Sequence, residues 1–157
     1  MFFLFIALFA SNALFGQTTK PQMQKMYSDY LKENGYSPQV AADGSLIIFD
    51  DRNGNGYRYV IFVNDESSKC FQMGRYDKYL GEGNYWDKLN EAKKSLESYL
   101  KDITVVFDGG RDPGGWFMAN VALKKPDDFK RVFTRIVLSL RVAEDLFYVE
   151  LLRQRGE

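Results

Sequence analysis

The 157 residues carry 21 basic and 21 acidic side chains, so no field of one sign covers the surface and neither nucleic acid nor anionic lipid is an expected partner. Histidine does not occur and Cys70 is the sole cysteine, which excludes Ser-His-Asp and Cys-His nucleophiles, intramolecular disulfides and ordinary zinc sites. Aromatic residues make up 16% of the chain, mostly Phe and Tyr, a composition that favours a packed sheet over a disordered tail.

Met1 to Gly16 contains no charged side chain and reads as the apolar core of a secretory signal peptide, with small residues for cleavage at Ser11-Asn12-Ala13 or at the Gly16-Gln17 junction. As a helix it reaches about 24 Å, short of the roughly 30 Å of hydrocarbon that a stable anchor crosses. A cleaved signal leaves residues 17–157 as one domain, periplasmic or secreted, with no stable membrane span. The segment holds no cysteine for lipid attachment.

Met23, Met26, Tyr27, Tyr30 and Leu31 recur at helical spacing, and Gly35 supplies a left-handed stop, so Pro21 to Asn34 is a predicted amphipathic helix. Short apolar runs separated by turn signals follow at Gln39 to Ala41, Leu46 to Phe49, Tyr57 to Val63 and Cys70 to Met73, the pattern of an antiparallel meander. Within the third run, Tyr57, Tyr59, Ile61 and Val63 share one face and Arg58, Val60 and Phe62 the other. Cys70 reads as a small apolar residue of a strand.

Trp86, Leu89, Ala92, Leu96 and Leu100 return to helical spacing within Tyr85 to Lys101. Ile103 to Phe107 and Trp116 to Leu123 are predicted strands joined by a glycine-rich turn. Pro126 opens a last helix, with Asp127 and Asp128 at the positive end of its dipole. The fold class is α+β, an antiparallel sheet packed by helices in the order α-β-β-β-β-α-β-β-α.

The last helix has two apolar sides. At about 100° per residue, Phe129, Val132, Phe133, Ile136, Leu140, Ala143, Phe147 and Leu151 form a stripe for the core, while Leu138, Val142, Leu146, Val149 and Leu152 form a second stripe almost opposite. Ahead of Leu138 that opposite face is polar, through Asp128, Arg131 and Arg135. These five residues are the expected partner interface, a homodimer seam or a protein-docking face. The competing arrangement threads the C-terminal half between the sheet and the first helix and buries both stripes.

Four local patterns, taken in order, resemble the YbjN-type family of bacterial sensory-transduction regulators, whose fold is like that of type III secretion chaperones. They are Leu31 with Gly35-Tyr36, Asp43-Gly44-Ser45-Leu46 with Tyr57-Arg58-Tyr59-Val60, Leu89-Asn90-Glu91-Ala92 before the strand at Ile103, and Pro126-Asp127-Asp128-Phe129. The resemblance covers nearly all of residues 17–157. It implies a noncatalytic, often dimeric module with a regulatory, chaperone-like or protein-binding role, and no catalytic residues or cofactor. The apolar N-terminus departs from the usual cytoplasmic pattern of that family.

Chemistry-bearing patterns are sparse. Asp51-Arg52-Asn53-Gly54-Asn55-Gly56 matches half a calcium loop, but Phe62 stands where the bidentate Glu belongs, so the segment reads as a hairpin turn. The acid pairs Asp50-Asp51, Asp65-Glu66 and Asp127-Asp128 fall at turns or a helix start, where solvated carboxylates are ordinary. Tyr76, Tyr79, Tyr85 and Trp86 crowd one expected connection between sheet and helix. With Arg75, Asp77 and Asp87 nearby, they support an alternative function as a small envelope hydrolase or carbohydrate-binding protein.

Overall fold

A computed structural model describes residues 19–50, 56–63, 70–77, 86–107, 114–125 and 127–156. The first helix, α1, spans Lys20–Glu33. Thr19 caps it: the hydroxyl accepts from the Gln22 backbone while the Gln22 side chain accepts from Thr19 N–H at 2.8 Å, a reciprocal capping box. The chain leaves α1 through Gly35 at φ 80°, the left-handed position expected for it.

Six strands follow the predicted order: β1 (Gln39–Val40), β2 (Leu46–Asp50), β3 (Tyr57–Val63), β4 (Cys70–Asp77), β5 (Ile103–Phe107) and β6 (Gly115–Ala122). They form one antiparallel sheet in the spatial order β1-β2-β3-β4-β6-β5. Helix α2 (Trp86–Tyr99) links β4 to β5, and α3 (Asp128–Arg155) closes the chain at Gly156, again left-handed at φ 77°. The calcium-like segment Asp51 to Asn55, the acid pair Asp65-Glu66, and Tyr79, Tyr85 and Pro126 lie outside the described residues.

Ile48, Tyr59, Arg75, Phe117 and Val105 stand side by side across five strands. One row further along, Asp50 pairs with Tyr57, and Asp77 with Gly115, which in turn pairs with Phe107. These rows belong to the face on which the helices pack. Tyr27 of α1 stacks on Phe129 of α3 at 3.9 Å, and Phe147 of α3 fits against Phe117 and Phe107 of the sheet at 5.6 and 6.3 Å. Burial of Leu46, Ile48, Ile61, Met73 and Ala119 on the same face completes one continuous core.

The largest departure from the sequence reading is the length of β4, which continues four residues past Met73 to Asp77. Gly74, Arg75 and Asp77 look like the end of a strand. Gly74 is accommodated because Trp116 and Met118 close over it from β6: a Cβ there would lie 2.6 Å from Met118 Sδ. Arg75 is accommodated because α3 supplies its counter-ion.

The edge strand β5 is blunted. Its Val105 N–H is met by Glu97 Oε1 of α2 at 2.9 Å, and Ile103 N–H by the Leu100 carbonyl at 3.0 Å, so neither offers a free donor to another strand.

Candidate functional site

On α3, Arg141, Glu144 and Tyr148 follow at i, i+3 and i+7, which places them on one flank of the helix, turned toward the sheet. Each finds a partner there. Arg141 Nη2 donates to Asp50 Oδ2 at 2.6 Å and its Nε to Tyr59 Oη at 3.1 Å. Glu144 forms an ion pair with Arg75, whose side chain is 3% exposed. Tyr148 donates its hydroxyl to Asp77 Oδ2 at 2.8 Å, and Glu144 also hydrogen-bonds Asp77. The Arg75 guanidinium lies 3.6 Å from the centroid of the Tyr57 ring, a cation–π contact that offsets part of its desolvation. Its Nη1 is buried with no hydrogen-bond partner among the described residues.

The electrostatics follow from this burial. Removal from water, reinforced by Asp77, pushes the Glu144 carboxyl up to about 7 against the pull of Arg75. The Glu144 carboxyl therefore takes up its proton as the pH falls through about 7. Burial, then the bond to Asp77, raises the Tyr148 hydroxyl. Burial also raises Tyr59, opposed by the guanidinium of Arg141, and the Tyr59 contact leads the rise of Arg141.

This layer corrects two expectations. Asp50 is no solvated turn acid: it is 2% exposed at the end of β2 and neutralised by Arg141. Arg75, Tyr76 and Asp77 belong to a strand rather than to a connection. Successive strand residues point to opposite faces: Tyr76 packs on Trp116 at 5.1 Å on the face away from α3, while Asp77 meets Tyr148 beneath it. Of the described residues of the hydrolase alternative, Tyr76 is thus parted from Asp77 by the sheet, while Trp86 packs on Phe107. Asp77 and Glu144 do converge, but in direct contact, whereas a two-carboxylate hydrolase holds its pair about 5–9 Å apart. Neither lines a groove of about 690 Å³ between the end of α2, β5, β6 and the first half of α3, where Asp102 is the single acid beside Lys101 and Arg135.

The opposite side of α3 bears the five residues of the second stripe. Leu138, Val142, Leu146, Val149 and Leu152 are all exposed, between 42% and 64%, while Phe129, Val132, Phe133, Ile136, Leu140, Ala143 and Phe147 are buried. The arrangement that would bury both stripes within one chain is overturned. Asp145, also exposed, stands among the five.

Among solved structures, the chain is similar to that of YbjN from E. coli, described as a candidate transcription regulator. The likeness has a TM-score of 0.52 at 11% identity and covers 84% of this chain and 90% of that one. The fold is YbjN-like. The α+β order read from the sequence is the order of the elements in this chain, consistent with that fold. No family model matches the sequence, and no curated protein matches it. No described helix is long and apolar enough to cross a membrane.

Proposed function

We propose that this chain is an exported, noncatalytic binding and regulatory module, chaperone-like in that it acts by holding a protein partner. The observation that carries this reading is the outward face of α3, where five aliphatic side chains at helical spacing stand half in water on the side opposite the buried core stripe. The occupant that fits is the apolar side of an amphipathic helix laid along α3, since both surfaces then bury their stripes. The YbjN-like fold supports a regulatory role over a catalytic one, because the solved neighbour is described as a candidate regulator. The apolar segment Met1 to Gly16 supports export to the periplasm or beyond in a bacterium.

The test expresses the full chain with Met1–Gly16 in place and compares wild type with a Val142→Glu, Leu146→Glu variant of equal helical content. A protein bound from the envelope by wild type and lost from the variant supports the reading; equal binding by both overturns it. A purified product whose N-terminus begins within a few residues of Gln17 supports export, and an intact Met1 in the cytoplasm overturns that part.

A further inference from the structure

Strand β6 outruns its neighbour. It continues to Ala122, while β5 pairs with it only as far as Ala119, because the chain enters β5 from α2 through a turn at Lys101 and Asp102. That turn is closed by the Ile103 N–H on the Leu100 carbonyl at 3.0 Å, and Asn120 N–H reaches the Asp102 carbonyl at 3.4 Å as the last rung of the ladder. Along an antiparallel strand, alternate residues turn their main-chain groups to the same neighbour, so the N–H and C=O of Ala122 point to the same side as those of Asn120. Among the described residues no strand lies opposite them.

This open edge borders the groove of about 690 Å³, a volume usual for ligand clefts. The floor of the groove is apolar, since Ile103, Ala119, Val121 and Ile136 line it and all are buried. The charges that line it, Lys101, Asp102 and Arg135, are exposed. Two cations thus stand beside one acid, and neither Lys101 nor Arg135 forms an ion pair among the described residues. None of the five residues of the outward stripe of α3 lines this groove, so it is a separate surface.

We infer that the groove binds the carboxyl-terminal end of an extended peptide chain. A chain laid along Ala122 takes the line that β5 occupies further on, so it runs end-on into the turn at Lys101 and Asp102 and stops there. Running antiparallel to β6, as β5 does, it arrives carboxyl end first. Its free carboxylate is then received in the groove that Lys101 and Arg135 line, its main chain bonds the N–H and C=O of Ala122, and its last side chain packs on the apolar floor, where Ala119 leaves room for a small aliphatic group. The reverse direction would bring an ammonium group to the two cations. A fatty acid supplies a carboxylate and an apolar tail but no main-chain groups for Ala122, and the open edge therefore favours a peptide.

Titration of the isotope-labelled, purified product of the full chain with the tetrapeptide acetyl-Ser-Ala-Ala-Val, its carboxylate free, tests this by the shifts of backbone amide resonances. The amides of Lys101 and Ala122 are expected to move together and to saturate. The same peptide with an amidated end binds about tenfold more weakly, the worth of one hydrogen bond to a charged group, and so does the free acid to Arg135→Gln. Ala122→Pro, which removes the donor of the open edge without breaking a rung of the sheet, weakens binding to a similar degree, with helical content unchanged in every variant. Val142→Glu with Leu146→Glu binds the peptide as wild type does. Equal binding of acid and amide overturns carboxylate capture. Dodecanoate that displaces the peptide and binds Ala122→Pro as tightly as wild type assigns the groove to a lipid carboxylate and overturns the peptide. Loss of the peptide from the Val142→Glu, Leu146→Glu variant places it on the outward stripe and overturns the groove, as does the absence of any shift at millimolar peptide. Neither result bears on the capture of an envelope protein by the stripe, which that variant tests separately.

Discussion

Glu144 of α3 and Arg75 of β4 meet where both are withdrawn from water, with side chains 11% and 3% exposed. The pair pins the longest helix to the middle of the sheet at a point where apolar contact alone would allow it to slide. Truncating one partner leaves the other buried and uncompensated, which costs about 3–5 kcal/mol. Arg75→Ala is therefore expected to lower stability by that order, and Glu144→Gln by much less, because the amide still accepts from Arg75 and donates to Asp77. Urea unfolding of the two variants checks this; equal losses would show that Glu144 is needed as a charge.

The same carboxyl makes stability depend on pH in a direction opposite to that of ordinary surface acids. Glu144 is held up at about 7 in the folded chain, above the usual carboxylate value near 4.3 of an unfolded one. The folded state thus binds the extra proton, and its stabilisation is complete below the unfolded value and lost as pH rises through about 7. The groups facing Glu144 are Arg75, Asp77 and Tyr148, and the chain has no histidine to titrate in the same window. Stability is expected to fall between pH 5.5 and 8 by on the order of 2 kcal/mol. Glu144→Gln flattens the profile. Denaturant midpoints across that range provide the measurement, and a wild-type profile that rises with pH would contradict the raised Glu144 carboxyl.

Most of the fold was legible because its signals are local. Gly35, the alternation of Tyr57 to Val63 and the apolar period of α3 each identify an element without knowledge of its neighbours, and β3 and β5 have the bounds read from sequence. What stayed hidden is non-local. Arg75 lies 69 positions from Glu144, and Asp50 lies 91 positions from Arg141; a charged residue in a short apolar run reads as a strand end until its counter-ion is seen. The one available hint was that Arg141 and Glu144 interrupt the side of α3 next to its core stripe. The outward stripe, by contrast, was visible from periodicity alone.

Exposure of that stripe makes a further prediction, independent of what covers it. Because Val142 and Leu146 are 49% and 42% exposed, Val142→Glu with Leu146→Glu is expected to shift the unfolding free energy of the monomer by no more than about 1 kcal/mol, the sum of two ordinary surface substitutions. Leu140→Glu, two residues from Val142 on the fully buried side, should prevent folding. Circular dichroism melts at low protein concentration separate the two. A collapse of the double variant comparable to that of Leu140→Glu would mean that the stripe is buried in the isolated chain.

At the centre of the sheet, β4 approaches β6 on the face away from the helices without any side chain at position 74. A Cβ at Gly74 would meet Met118 Sδ at 2.6 Å and Trp116 Cε3 at 2.9 Å, and Trp116 is itself held by Tyr76 at 5.1 Å and Phe62 at 6.4 Å. Methionine is flexible and can yield, whereas the braced indole cannot move without disturbing two other rings. Gly74→Ala is thus expected to destabilise by about 1–3 kcal/mol, the usual range for overpacking, even though alanine is otherwise the better strand residue. The accompanying signature is a change in tryptophan emission as Trp116 is pushed toward water. Adding Met118→Ala should recover part of the lost stability and little of the emission, because the sulfur contact is relieved while the indole contact remains. Full recovery of both would assign the whole strain to Met118 and show that the indole is free to shift.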